Sequence, residues 1–211
     1  MKKYYTYLLL FILLLASVRI GQSLYEQYTK VPPKVCIQPL GSINEAELSW
    51  IVESVQDFYG VEVTLLEGDD LPESAYYAPR NRYKAPKLLA YLEEVMPPSY
   101  TKIIGFTSVD ISTKKGDYDD WGIMGLGKKP GKSCVVSSFR IKRGAKSKEH
   151  LRERIEKVAL HELGHTLGMP HCTHSTTCLM KDAQGKVKTL DTEQKLLCEV
   201  CQKYVYWKET F

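Results

Sequence analysis

Residues 161–180 read HELGHTLGMPHCTHSTTCLM, a segment holding four of the chain's five histidines and two of its six cysteines. No other stretch constrains the fold so tightly. Side chains that share a metal ion must converge from set backbone positions, so their spacing dictates local structure. His161 and His165 lie four residues apart. A helical turn takes about 3.6 residues, so a helix projects both imidazoles from one face. Glu162 is then turned about 100° round from His161. That is too far to make it a good third ligand from the same helix, but near enough to touch a water held beside the ion.

The pattern continues past this H-E-x-x-H core. Gly168 follows His165 by three residues, and His171 follows Gly168 by three more. Glycine lets a helix end and the chain turn back, usually with positive φ. Pro170 agrees that the helix is over by then. The turn brings His171 under the helix as a third nitrogen ligand. Three histidines leave the fourth tetrahedral position open, which marks a catalytic zinc rather than a structural one. The full H-E-x-x-H-x-x-G-x-x-H string is a zinc-hydrolase pattern. Zinc lowers the pKa of a water from about 15.7 to about 7. Glu162 takes the proton as general base, and the attack falls on a carbonyl, most simply that of a peptide bond. Leu160, Leu163 and Leu167 are expected to hold the other helix face in the core. The alternative is a catalytically weak or inactive zinc protein that only binds a peptide or partner; retention of Glu162 argues against it.

The start of the chain is of a different kind. MKKYYTYLLLFILLLASVRIGQS has two lysines, an apolar run from Leu8 to Val18, then small and polar residues. This is the layout of a secretory leader, with cleavage expected after Ser23. An uncleaved membrane tether is the competing reading, although the run is short for a comfortable span. Either way residues 1–23 place the remainder outside the cytoplasm: secreted, periplasmic or tethered. Residues 24–33 read as a linker, with Pro32 and Pro33 blocking regular structure. Residues 34–211 read as one domain. The formal charge of +4 owes three positives to Lys2, Lys3 and Arg19, and a chain cleaved after Ser23 would carry 26 basic against 25 acidic residues, net +1. That balance offers no electrostatic footprint for nucleic acid.

Hydrophobic periodicity supplies the framework. KVCIQPL reads as a strand, SINEAELSWIVESVQDFYG as a helix stopped by Gly60, VEVTLLEG as a second strand, and KAPKLLAYLEEVM as a second helix. TKIIGFTSVDIS, DDWGIMGLG and SCVVSSFRI read as three more strands. SKEHLRERIEKVALHELGHTLG is a long helix with Ser147 as its cap. The expected class is α/β, a mixed sheet with helices packed on it and an irregular cysteine-rich tail.

That tail carries a second constellation. Cys172 follows His171 directly, Cys178 comes six residues later, and Cys198 and Cys201 form a C-x-x-C pair. Four such thiolates match a structural zinc site with no open position. An exported chain also meets oxidants, so two disulfides fit the same spacing.

The string His171-Cys172, Cys178-Leu179-Met180, seventeen residues, then Cys198-x-x-Cys201 resembles the archaemetzincin family of metzincin-clan zinc peptidases. One departure is the first cysteine loop, Thr173 to Thr177, which has five residues rather than four. His174 sits in that loop as a competing donor. The resemblance implies two zinc ions per chain, one catalytic and one structural, the latter held by Cys172, Cys178, Cys198 and Cys201. It implies that Met180 is the Met-turn methionine, an apolar floor beneath the three histidines. It also implies the compact metzincin-like domain: a twisted mixed sheet, an active-site helix and an edge strand above the cleft. Trp121 to Gly127 is the candidate edge strand, where a peptide or protein substrate would add by antiparallel pairing. Cys36 and Cys134 lie on expected strands that the family's sheet keeps apart, so both should be buried free thiols. Arg80, Arg82 and Tyr83 fall in a loop with no assigned role.

Overall fold

The computed structural model describes residues 31–208 together with Arg19. The leader and most of the linker expected over residues 1–33 therefore lie outside the described residues. Among the described residues, no helix is long and apolar enough to cross a membrane.

The elements run β1 (Val35–Leu40), α1 (Glu45–Tyr59), β2 (Val63–Leu65), β3 (Tyr76–Tyr77), β4 (Arg82–Lys84), α2 (Ala85–Val95) and β5 (Lys102–Thr107). Then follow β6 (Ile111–Lys115), β7 (Tyr118–Ile123), β8 (Gly125–Gly127), β9 (Ser133–Ser137), α3 (Ser138–Ile141), α4 (Lys148–Thr166), α5 (Val187–Leu190) and α6 (Glu199–Gln202). The larger sheet has the order β2-β1-β5-β9-β8. Its first four strands are parallel, and β8 closes one edge antiparallel to β9.

Every residue of β1 is buried, as expected for a parallel strand covered on both faces. Val35 and Ile37 face a core shared with Trp50 and Ile51 of α1 and Leu160 and Leu163 of α4. Cys36 and Leu40 face the other way, against Leu88 and Leu92 of α2. The helix ends follow local chemistry. The Asn44 side chain accepts the Ala46 N–H at 3.0 Å, and Gly60 closes α1 at φ +64°. Ser147 Oγ accepts the His150 N–H at 3.1 Å and starts α4. Cys36 and Cys134 are buried free thiols on β1 and β9, with β5 between them.

The expected strands hold in the larger sheet, but three runs divide. TKIIGFTSVDIS becomes β5 and β6, and DDWGIMGLG becomes β7 and β8. In both cases the first and second parts join different sheets, because a smaller sheet of order β3-β4-β6-β7 takes β6 and β7. SCVVSSFRI ends as a strand at Ser137, whose side chain caps α3 by accepting the Phe139 N–H at 3.2 Å. Asp110 sits at the junction between the sheets. It takes Arg140 at 2.6 and 2.9 Å and lies 3.3 Å from Arg82, which also approaches Asp120 at 3.4 Å. Arg82, placed in a loop by sequence, thus lies on β4 in an ion cluster between strands.

Candidate metal centre

The motif occupies the C-terminal third of α4. Thr166 is its last residue, and Gly168 follows at φ +97°. The Met169 N–H reaches back to Gly164 O at 3.1 Å, so the chain folds under the helix end. This reversal carries His171 to the other two histidines. Ligand-capable atoms of His161, His165 and His171 all lie within 4.8 Å of one another.

Backbone carbonyls fix which nitrogens are free. His161 Nδ1 lies 2.8 Å from Leu179 O, and His165 Nδ1 lies 2.8 Å from Met169 O. A carbonyl only accepts, so each Nδ1 carries the proton and each Nε2 keeps a lone pair. Burial, and after it the neighbouring His165, holds the His161 pKa down at about 3, and burial lowers that of His165 too. Both rings are therefore neutral at ordinary pH, the form that binds a metal. His165 Nε2 and His171 Nε2 stand 3.2 Å apart. Bonds of about 2.0–2.1 Å to a tetrahedral zinc put ligand nitrogens about 3.3 Å apart. The donor set fits that ion.

Glu162 is 8% exposed and faces the same cleft, which encloses about 350 Å³. Burial pushes its carboxyl up to about 8, with the Gly127 backbone N–H pulling the other way. Strand β8 passes very close. A Cβ on Gly125 would meet the Glu162 carboxylate at 2.8 Å, and one on Gly127 would meet Glu162 O at 2.4 Å. The glycines of the expected edge strand are thus the residues that let β8 lie against the helix. Only the β8 half of the expected Trp121–Gly127 strand forms the edge of the larger sheet.

Met180 is fully buried beneath the helix, where a Cβ on Gly164 would meet its sulfur at 2.7 Å. The Met180 carbonyl accepts the Cys172 N–H at 2.7 Å. The four tail cysteines form a second group, with sulfurs within 4.8 Å of one another. Cys172 Sγ and Cys198 Sγ are 3.6 Å apart, and Cys198 N lies 3.4 Å from Cys178 Sγ. Zinc–sulfur bonds of about 2.3 Å in a tetrahedron separate the sulfurs by about 3.8 Å, whereas a disulfide needs about 2.05 Å. The additional residue of the Thr173–Thr177 loop is taken up at the surface, where Ser175 Oγ accepts the Thr177 N–H at 3.2 Å. His174 is exposed and outside both groups.

The structure thus brings together every histidine and cysteine that the spacing singled out. Sequence reasoning missed the carbonyls of Met169 and Leu179 that set the imidazole tautomers, because a backbone group leaves no mark in a motif. It also missed Glu193, a buried glutamate that lines the cleft.

Comparison with known proteins agrees with this geometry. Residues 40–206 match the sequence profile of peptidase family M54. The archaemetzincin of Halobacterium salinarum is 28% identical over 180 residues, covering 82% of this chain and 99% of that protein. The solved archaemetzincin of Archaeoglobus fulgidus superimposes with a TM-score of 0.69 at 29% identity, covering 81% of this chain and 99% of that one. For the archaemetzincin of Methanopyrus kandleri the TM-score is 0.70 at 28% identity, with 82% and 93% covered.

Proposed function

The chain belongs to peptidase family M54, the archaemetzincins, and is a zinc metallopeptidase acting on peptide substrates; from that premise we propose a role for each residue of the two clusters. His161, His165 and His171 hold the catalytic zinc, and Glu162 is the catalytic general base. Cys172, Cys178, Cys198 and Cys201 hold a structural zinc, giving two ions per chain. The observation that carries the reading is the convergence of three histidine rings, two with Nε2 lone pairs fixed toward the others, beside a buried carboxylate at one cleft.

When bound, zinc supplies a Lewis acid that polarises a carbonyl and makes a nearby water acidic enough to react at neutral pH. The protein supplies the rest. Strand β8 offers an edge on which a peptide aligns by antiparallel pairing. Glu162 accepts a proton from the attacking water and later returns it to the leaving amine. Its burial raises its basicity, and a dication beside it acts in the opposite direction. Met180, packed against Gly164, supports the helix segment that carries His161 and His165. The sulfur spacing in the tail supports zinc over disulfides.

The test is zinc content and cleavage of a broad peptide library by the wild type and by Glu162→Ala. Two zincs per chain, zinc-dependent cleavage and loss of cleavage in the variant are expected. A wild type carrying zinc that cuts nothing would refute the catalytic roles. One zinc with two tail disulfides would refute the structural site alone. The leader pattern further supports export or tethering, so the chain should fractionate outside the cytoplasm; mature protein recovered from the cytosol with its first residues intact would oppose this.

A further inference from the structure

The cleft extends beyond the histidines along α4 toward the tail. Val158, one turn before His161, and Leu190 of α5 give it apolar walls. At its inner side lies Glu193, only 4% exposed. Its Oε1 has no hydrogen-bond partner, and among the described residues its carboxylate has no ion pair within 4.0 Å. Lys157, a cation whose charge acts on this carboxylate, is committed elsewhere: its Nζ donates to Leu190 O at 2.8 Å and lies 2.6 Å from Glu153. A buried carboxylate left without a partner is costly, and one that lines an open cleft is placed to meet that cost with a ligand. Three lysines also line the cleft, Lys114, Lys115 and Lys129, but all are exposed. Lys114 pairs with Asp119 at 3.1 Å and Lys115 lies over the Trp121 ring. The cleft therefore has a solvated basic rim and an acidic interior.

We propose that this recess is the side-chain subsite of the peptidase and that Glu193 makes it select a lysine or arginine next to the scissile bond. An apolar wall ending in a carboxylate complements a long aliphatic stem ending in a cation. The inference rests on the peptidase reading of the neighbouring cluster. Burial pushes the Glu193 carboxyl up to about 7, with Lys157 opposing and Asp182 adding to the rise. An arriving ammonium or guanidinium returns it to the charged form.

Cleavage sites in a peptide library, read by mass spectrometry, should be enriched in lysine or arginine at one position flanking the cut. Replacing that lysine by norleucine should lower kcat/KM about 10- to 100-fold for the wild type. In Glu193→Gln, a near-isosteric change, the ratio of the two peptides' kcat/KM should fall toward one. Binding provides a readout without turnover. On a Glu162→Gln background the lysine peptide should bind about 10-fold more tightly than the norleucine peptide, and Glu193→Gln should abolish the difference. Cleavage without basic enrichment, or a preference that survives Glu193→Gln, overturns the subsite and leaves the peptidase standing. No cleavage by zinc-loaded wild type overturns the peptidase roles and the subsite together.

Discussion

Replacing Gly164 by alanine sets two effects of opposite sign against each other. In a helix interior the change should help, because alanine loses less backbone entropy than glycine, by about 0.5–1 kcal/mol. Against this stands the space available. The added methyl would sit 2.7 Å from Met180 Sδ and 3.1 Å from the Tyr59 hydroxyl, where carbon contacts normally settle at about 3.5–4.0 Å. Neither neighbour gives way easily. Met180 and Tyr59 are both fully buried, and the Tyr59 hydroxyl donates to Leu160 O at 2.7 Å. Overpacking of this kind costs about 1–3 kcal/mol, so the net change should be a loss of about 1–2 kcal/mol. For a chain of this size that lowers Tm by about 3–6 °C. The two proteins should be melted at the same saturating zinc concentration, because bound metal raises Tm by mass action. Moving Met180 also moves Leu179, whose carbonyl holds His161, so zinc affinity should fall with stability. A Gly164→Ala protein as stable as the wild type, with unchanged zinc affinity, would show that Met180 is not pressed against the helix.

Gly125→Ala should act on catalysis instead, since its methyl would meet the Glu162 side chain at 2.6 Å; peptide cleavage should drop about 100-fold with zinc content unchanged, and full activity would refute the contact. Cys198→Ser should lower bound zinc from two ions to one and make the tail sensitive to limited proteolysis; an unchanged metal content would count against the four-cysteine site. Asp191 accepts two hydrogen bonds from Arg154 at 2.7 Å each and one contact from His150 at 2.8 Å. The Arg154 hydrogen bonds hold its pKa well below the usual carboxylate range. Its contribution is therefore complete above the unfolded value of about 3.9 and disappears as pH falls through the lower native value. Asp191→Asn should cost about 1.5–3 kcal/mol near neutral pH, with the gap to wild type closing in acid; a gap independent of pH in a series of melts would refute the assignment.

The site was far more legible than the sheet around it. Spacing alone set the helix face of His161 and His165, and Gly168 with Pro170 announced the reversal that delivers His171. Helix ends were legible for the same reason: Gly60, Ser147 and Gly168 act locally. The second sheet was not, because its chain breaks carry no local mark. At Ser108–Asp110 the chain leaves one sheet for the other without glycine or proline. The turn is held by distant groups, with Thr107 Oγ1 donating to Leu40 O at 3.0 Å and Ser108 Oγ donating to Ser42 O at 2.8 Å. Met124 separates β7 from β8 and is also held by a distant group, its carbonyl accepting the Ser137 N–H at 2.8 Å. Glu193 is the extreme case. In sequence it is one acid in a polar tail, and nothing local marks it as buried at the cleft beside Val158 and Leu190.

The adjacency of the two clusters has a mechanical reason. Each histidine depends on backbone beyond the helix: His161 on Leu179, His165 on Met169, and His171 on the turn itself. Residues 169–180 have no strand or long helix to stiffen them. What stiffens them is the hydrogen bond from Cys172 to Met180 and the thiol cluster that begins at Cys172 and Cys178. A metal there would bind the two ends of this loop to Cys198 and Cys201, so holding the carbonyl that orients His161 and the residue that precedes Cys172. The structural ion would thus act on the peptidase through loop rigidity, and weakening it should lower catalytic zinc affinity before it unfolds the domain.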